Sequence, residues 1–276
     1  MPEPITTIGI GAIAAYLGKD GLAKLLGPTA EYLGDELQEF TKKRIENVGR
    51  IFQNAENKLG DKIETTGSVP PKVLKTIINE GSYSEDEIAV EYFGGVLASA
   101  RSSLIRDDRG ARVAKTLDNM SSYQLRCHYL IYSTISNLFS GEKFSLNTWD
   151  NRSKLEIYLP WEEFVDAMDL TQEEWENPQI LTHTFHGLMT DSLIEKNWAY
   201  GSKENLLTMS NGILIDGPGI VCTPTANGAE LFLWGFGAGN KELDYIFSKK
   251  FSSLIEGMTS CIKNSKGTKT YTKQGV

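Results

Sequence analysis

Two helix starts and a helix stop are written into residues 67–101, GSVPPKVLKTIINEGSYSEDEIAVEYFGGVLASAR. Pro70-Pro71 opens the first helix, because a proline in the first turn gives up no intrahelical hydrogen bond. Gly81 marks its stop, as a residue able to take a left-handed cap. Ser84-x-x-Glu87 then reads as a capping box in which each side chain satisfies the other's free backbone N–H. The helix it opens has an apolar side of Ile88, Tyr92, Val96, Leu97 and Ala100. Its small residues, Gly94-Gly95 and Ala98-Ser99, permit close helix approach. A chain carrying this block must build its first core from packed helices.

At 276 residues the chain is long enough for one large or two small domains with a real core. Its three cysteines, Cys127, Cys222 and Cys261, form no CxxC pair. That argues against a disulfide framework or a zinc site and fits a reducing cytoplasm. Net charge is −8 and unevenly placed. From Leu155 to Glu195 there are ten acidic residues and no Lys or Arg, which leaves 26 acidic and 28 basic residues elsewhere.

Pro4 to Gly18 is uncharged but only 15 residues long, short of the roughly 20 that span a bilayer. The segment opens with Glu3 rather than a basic region, so no signal peptide is expected. The amphipathic stretch Gly21 to Leu26 follows. Two readings stay open for this N-terminus: packing against the rest of the domain at rest, or insertion at a bilayer surface on activation. Ile10, Ile13, Leu17, Leu22, Leu25 and Leu26 are its contact residues for membrane or partner. Gly9-x-Gly11-x-x-Ala14 matches a relaxed dinucleotide fingerprint, but a long helix rather than a second strand follows it, so no nucleotide site is expected.

From Pro28 the pattern is helical. Leu33, Leu37, Phe40, Val48, Ile51, Phe52, Ala55 and Leu59 recur at three-four spacing, with charges of both signs on the other face. Gly60 to Ser68 reads as a linker. Later helices are expected at 110–118 and, after Ser121-Ser122, from Tyr123 to Phe139.

The run Val69-Pro70-Pro71-Lys72, an apolar helix, then Ser84-Glu85-Asp86-Glu87 and a small-residue helix resembles the core of the abortive-infection alpha family. That bacterial family is associated with phage defence. The resemblance covers residues 20–140 well and the C-terminal part loosely. It carries over Val69, Pro70, Pro71, Lys72, Glu85 and Asp86 as signature positions. The family's third helix usually shows a Trp and an Asn, where this chain has Tyr92-Phe93 and Ala98-Ser99. The resemblance implies a non-enzymatic anti-phage effector or interaction protein, cytoplasmic and peripheral to the inner membrane. It also implies a protein partner, phage-derived or from the defence system. It supplies no reaction.

Residues 141–153 form a polar, turn-rich boundary. Beyond it, Pro160-Trp161 starts a short helix, Thr171-x-x-Glu174 is a second capping box, and Pro178 begins a helix ending near Thr190. Strands are expected at 198–200, 213–215 and 220–222, followed by a helix opened by Thr223-Pro224-Thr225-x-x-Gly228. This order looks like a winged helix-turn-helix over about residues 160–235. The usual inference is DNA binding, but affinity for a duplex comes largely from Lys and Arg on phosphates. The expected recognition helix, 178–190, has neither. A protein-contacting winged helix is therefore the reading, with a DNA-binding regulator as the alternative.

His183-x-x-His186 could hold two corners of a metal site, but no third ligand is identifiable. Glu85-Asp86-Glu87 suits a helix N-terminus better than a metal. No nucleophile elbow, phosphate loop or kinase set appears. No catalytic residue, cofactor or metal is therefore expected. Finally, Phe247, Phe251, Leu254, Ile255, Met258 and Ile262 make one stripe over 241–262, read as a C-terminal amphipathic helix. Its apolar face needs the chain's own core or a second protomer. The expected fold is mainly α: a helical domain over 1–140, a smaller α+β winged-helix-like region with the closing helix over 154–262, and a disordered tail over 264–276.

Overall fold

The computed structural model describes residues 35–268 except Thr66, Glu85 and Ile105, with side chains from Lys43 onward. The described chain is mainly helical, with one small antiparallel sheet. It divides into two compact units. One runs to Asn119 and includes Trp234–Asn240; the other comprises Met120–Leu233 and the chain from Lys241. The division therefore falls at Asn119, ahead of the polar stretch 141–153.

The first unit contains α1 (Asp35–Leu59), a 3-10 turn (Gly60–Glu64), α2 (Pro71–Gly81), α3 (Glu87–Ala100) and α4 (Arg109–Asp118). Val48, Ile51, Phe52, Ala55 and Leu59 of α1 are all buried, as their spacing predicts. Nearly every residue of α3 is buried, so it forms the centre of the unit. Its small residues act as expected: a Cβ on Gly94 would lie 2.7 Å from Asn54 Cβ and 3.1 Å from the Ile51 carbonyl oxygen. Glu91 of α3 takes Lys58 and Asn54 of α1 as partners in a largely buried ion pair. The Arg101 guanidinium, just past α3, gathers the carbonyls of Lys62, Ile63 and Thr65 at the end of the 3-10 turn.

Two local expectations are corrected here. Gly81 is not a left-handed stop but the last residue of α2, followed by Ser82 in right-handed conformation. Glycine is needed because a Cβ there would meet Ile51 Cδ1 at 2.7 Å and Phe93 Cγ at 3.2 Å. The cap of α3 is Asp86 rather than Ser84. Asp86 Oδ1 accepts Ile88 N–H at 2.7 Å, while Ser84 N–H is used by the turn back to the Gly81 carbonyl.

The second unit is built on α5 (Ser122–Leu138), started by a full capping box between Ser121 and Gln124. After α6 (Trp149–Arg152) come β1 (Ile157–Pro160), α7 (Trp161–Met168), α8 (Gln172–Trp175) and α9 (Pro178–Thr190). β2 (Ala199–Gly201), α10 (Lys203–Met209), β3 (Gly219–Cys222), α11 (Ala226–Gly235) as far as Leu233, a 3-10 turn (Leu243–Phe247) and β4 (Lys266–Gly267) complete it. The sheet order is β2-β3-β1-β4, every neighbour antiparallel. Tyr158 and Ala199 both pair with Val221, and these three join Leu206, Ile213 and Ile215 in a small core.

That core explains why 213–215 is not a strand: Ile213 and Ile215 alternate inward as plugs without joining a ladder. Residues 241–262 form no α-helix either. Polar side chains of α5 take the backbone of this stretch instead. Ser136 Oγ donates to the Ile246 carbonyl at 2.7 Å, Tyr129 Oη to that of Ser253 at 3.0 Å, and Thr134 Oγ1 accepts Ile262 N–H at 3.1 Å. Nor does the tail begin at 264, because Lys266 and Gly267 pair with Tyr158 and Ile157. Gly267 fits there because a Cβ would lie 2.7 Å from Phe139 Cζ.

α5 and α11 approach closely at Gly228, where a Cβ would lie 2.0 Å from Tyr132 Oη and 2.3 Å from the Leu193 carbonyl oxygen. Gly228→Ala should lower the unfolding free energy by about 3 kcal/mol, the upper end of overpacking costs. Gly49→Ala in α1, with no atom near its Cβ, should instead raise it by about 0.5–1 kcal/mol. Denaturant titration of both variants checks the pair.

Candidate functional site

α8 and α9 are set by their caps. Thr171 and Glu174 complete the capping box of α8, and Asn177 Oδ1 accepts Gln179 N–H at 3.0 Å to start α9 behind Pro178. Leu181, Thr184, Phe185 and Leu188 turn inward. Gln179, His183, His186 and Thr190 are exposed, at spacings of four, three and four that place them on one stripe. Thr184 is not available to a partner; its hydroxyl donates to the Ile180 carbonyl at 2.7 Å.

The two histidines have separate neighbours. His183 Nε2 lies 3.0 Å from Ser121 Oγ, whereas His186 meets Trp198 edge-on at 5.3 Å. Trp198 in turn stacks on Phe185 at 4.9 Å and on Tyr200 at 6.0 Å. This ladder runs from the core under α9 out to β2, where Tyr200 is exposed. Past β2, α10 projects Leu207 and Met209, which are 51% and 50% exposed. The surface is therefore aromatic and apolar at its centre, with polar uncharged groups on the helix.

The sequence block that contains α9 is acidic, with Lys196 and Lys203 exposed on either side of β2. Glu162, Asp166, Asp169, Glu173, Glu176 and Asp191 are exposed carboxylates of the cation-free block. The Tyr123 hydroxyl, with Thr171, holds the Glu174 carboxyl below its usual range. A cleft of about 330 Å³ lies beside the start of α7, lined by Trp161, Glu162, Glu163 and Asp216 among others. Asn264 Nδ2 donates to Glu163 at 2.7 Å and Lys266 pairs with Asp216, so β4 and its lead-in supply two of the cleft's counter-groups.

Glu156 was legible only as one more carboxylate, yet it is fully buried. Its oxygens accept Asn211 N–H at 2.8 Å and Asn211 Nδ2 at 3.1 Å, which anchors the end of the loop carrying α10. Burial pushes its carboxyl above the usual range. A charge flanked by Leu155 and Ile157 at a strand start is the signal that could have found it.

The signature positions mostly do structural work. Val69 is buried, Pro70 is the cap of α2 and Pro71 its first residue, and Asp86 caps α3. Lys72 is exposed and paired with Asp108 at 2.8 Å. Glu85, and Ile10, Ile13, Leu17, Leu22, Leu25 and Leu26, lie outside the described residues. Among the described residues, no group of three His, Cys, Asp or Glu side chains is placed to hold a metal ion.

His128 is fully buried in α5, with Nε2 3.1 Å from the Gly228 carbonyl and its ring 4.6 Å from that of Tyr132. Burial lowers its pKa from 6.5 to about 3. The unfolded chain therefore binds a proton that the folded one refuses across this window. Stability should fall by about 1.4 kcal/mol per pH unit from pH 6.5 towards pH 3 on this account alone. His128→Gln keeps a donor for Gly228 without titrating, so its acid unfolding curve should lack that slope. Parallel denaturant titrations at stepped pH test this.

No family model matches the chain, and no curated protein or solved structure matches it.

Proposed function

We propose that this protein is a non-enzymatic effector or interaction protein of bacterial phage defence, of the abortive-infection type. Its second unit would be a winged helix that has turned from DNA to a protein partner. The observation that carries the reading is a conflict between plan and charge. Helix α5, strand β1, helices α7, α8 and α9, strand β2, a segment carrying α10, and strand β3 come in an order we read as a winged helix with a helix in its wing, and β3 lies between β1 and β2. The helix in the recognition position nevertheless presents Gln179, His183, His186 and Thr190 among carboxylates. Phosphates would be repelled there, while the Trp198–Tyr200 ladder and the Leu207–Met209 tip suit a protein surface, where aromatic anchors dominate.

The phage-defence setting rests on Val69-Pro70-Pro71-Lys72 and Asp86 at the starts of α2 and α3. In this reading the protein works in the cytoplasm and at the inner-membrane face, with the segment from Ile10 to Leu26 as its membrane or partner contact. Among the described residues no helix is long and apolar enough to cross a membrane. The element order favours a second reading, a DNA-binding regulator, which the same surface charge opposes.

Two measurements separate them. Fluorescence anisotropy with a random duplex should show no binding at about 150 mM salt, where a phosphate-contacting domain would still be retained. Leu207→Asp combined with Met209→Asp should abolish protection of cells against phage while leaving the melting temperature within about 2 °C of the parent, because both side chains already face solvent. Intact protection in that variant, or salt-dependent duplex binding by the parent, would overturn the partner-contact reading.

A further inference from the structure

β2 forms one edge of the sheet: the strand order is β2-β3-β1-β4 and, among the described residues, no strand pairs with its outer side. Which of its backbone groups face that side follows from the ladder. Trp161 N–H donates to the Pro218 carbonyl at 3.1 Å, one step beyond the Pro160–Gly219 pair of β1 and β3. Opposed pairs of an antiparallel ladder are alternately hydrogen-bonded and not. Ile220 and Cys222 therefore aim their backbone groups at β1, and Gly219 and Val221 aim theirs at β2. Ala199 and Gly201 stand opposite Val221 and Gly219 and receive them. The N–H and C=O of Tyr200, between the two, point away from β3 to the open edge.

Open edges accept foreign strands, and exposed lysines are a common guard against them. Lys196 and Lys203, both exposed, flank β2 in this way. The stretch Glu195-Lys196-Asn197-Trp198-Ala199-Tyr200-Gly201-Ser202-Lys203-Glu204 is, however, complementary to itself. A twofold axis through Tyr200 opposes the whole of Ala199–Gly201 to its equivalent in a second copy. At both ends that register brings exposed Lys196 of one copy to exposed Glu204 of the other. Centring on Ala199 instead would oppose Lys203 to Glu195, which Arg152 already holds. Centring on Trp198, Gly201 or Ser202 opposes no unlike charges.

We infer that the occupant of this edge is a second copy of the chain, joined in a twofold dimer through β2, with each Tyr200 N–H donating to the Tyr200 carbonyl of the other copy. Directly opposed residues share a face of the sheet, so the two Tyr200 rings meet. The ladder of Phe185, Trp198 and Tyr200 then runs on into its copy, and Tyr200, 38% exposed in the single chain, is covered. The lysines that repel other strands select this one. A strand of three residues keeps the association weak and reversible. Dimerisation goes beyond the phage-defence reading and does not depend on it.

Sedimentation velocity of the full chain over a concentration series tests this. The parent should show a monomer–dimer equilibrium with a Kd on the order of 10–100 μM, given so short a strand. Tyr200→Pro removes the outward N–H without touching a bond to β3, and should stay monomeric while still melting cooperatively. Lys196→Glu sets carboxylate against carboxylate and should weaken the dimer about tenfold, as should Glu204→Lys, which sets lysine against lysine. Lys196→Glu combined with Glu204→Lys should recover the parent's Kd to within about threefold, a rescue that damage to the fold could not produce. A parent that stays monomeric up to about 1 mM would overturn the inference. So would a Tyr200→Pro variant that dimerises like the parent, which would place the contact elsewhere. A combined variant no tighter than either single one would exclude this register and the inference with it.

Discussion

The second unit depends on a helix that answers other segments' backbones. Irregular chain can be buried only if its N–H and C=O groups find partners, and α5 supplies them from one face after another. Tyr132 Oη donates to the Leu193 carbonyl at 2.6 Å and accepts Thr225 N–H at 3.0 Å. His128 reaches the Gly228 carbonyl, Ser136 that of Ile246, Tyr129 that of Ser253, and Thr134 takes Ile262 N–H. An apolar α5 of the same shape could not hold these segments. A buried neutral histidine and a buried tyrosine are thus fasteners, and their perturbed protonation follows from burial rather than from chemistry on a substrate.

The first unit solves a different problem by subtraction. Where α1, α2 and α3 meet, side chains are removed rather than added: Gly81 makes room for Ile51 and Phe93, and Gly94 makes room for Asn54. Close backbone approach gains dispersion contacts that larger residues would forfeit. Lys58 and Glu91 then link α1 to α3 with few water contacts. Pro70, Pro71 and Asp86 start the helices that converge on this packing.

Helices with strong ends were legible in the sequence. Pro71, the Thr171–Glu174 box and Pro178 each begin an element where local chemistry alone says so. What escaped was decided by tertiary partners. The stripe from Phe247 to Ile262 has helical spacing, but spacing cannot reveal that Ser136, Tyr129 and Thr134 will compete for the same backbone. Ile213-Leu214-Ile215 has strand composition, but Ile213 and Ile215 are taken into the small core beside Leu206 and Val221 without joining the sheet. Gly81 looked like a stop, although its reason is a methyl group from α1. Of the candidate surface, the missing cations and the exposed histidines could be read from the sequence. The Trp198 ladder and the Glu156–Asn211 anchor could not, since each joins residues far apart in the chain.

β1 is an inner strand of the sheet, with Ile157, Tyr158 and Leu159 all buried. One of its sides is covered by β3, and the other only by Lys266 and Gly267. Among the described residues, two thus shield a row of hydrogen-bonding groups next to an apolar strand. Open edges of this kind recruit strands from other molecules. A chain cut short before Lys266 would therefore turn β1 from an inner strand into an edge strand and add a second apolar edge, beside that of β2, from which β-aggregation could spread.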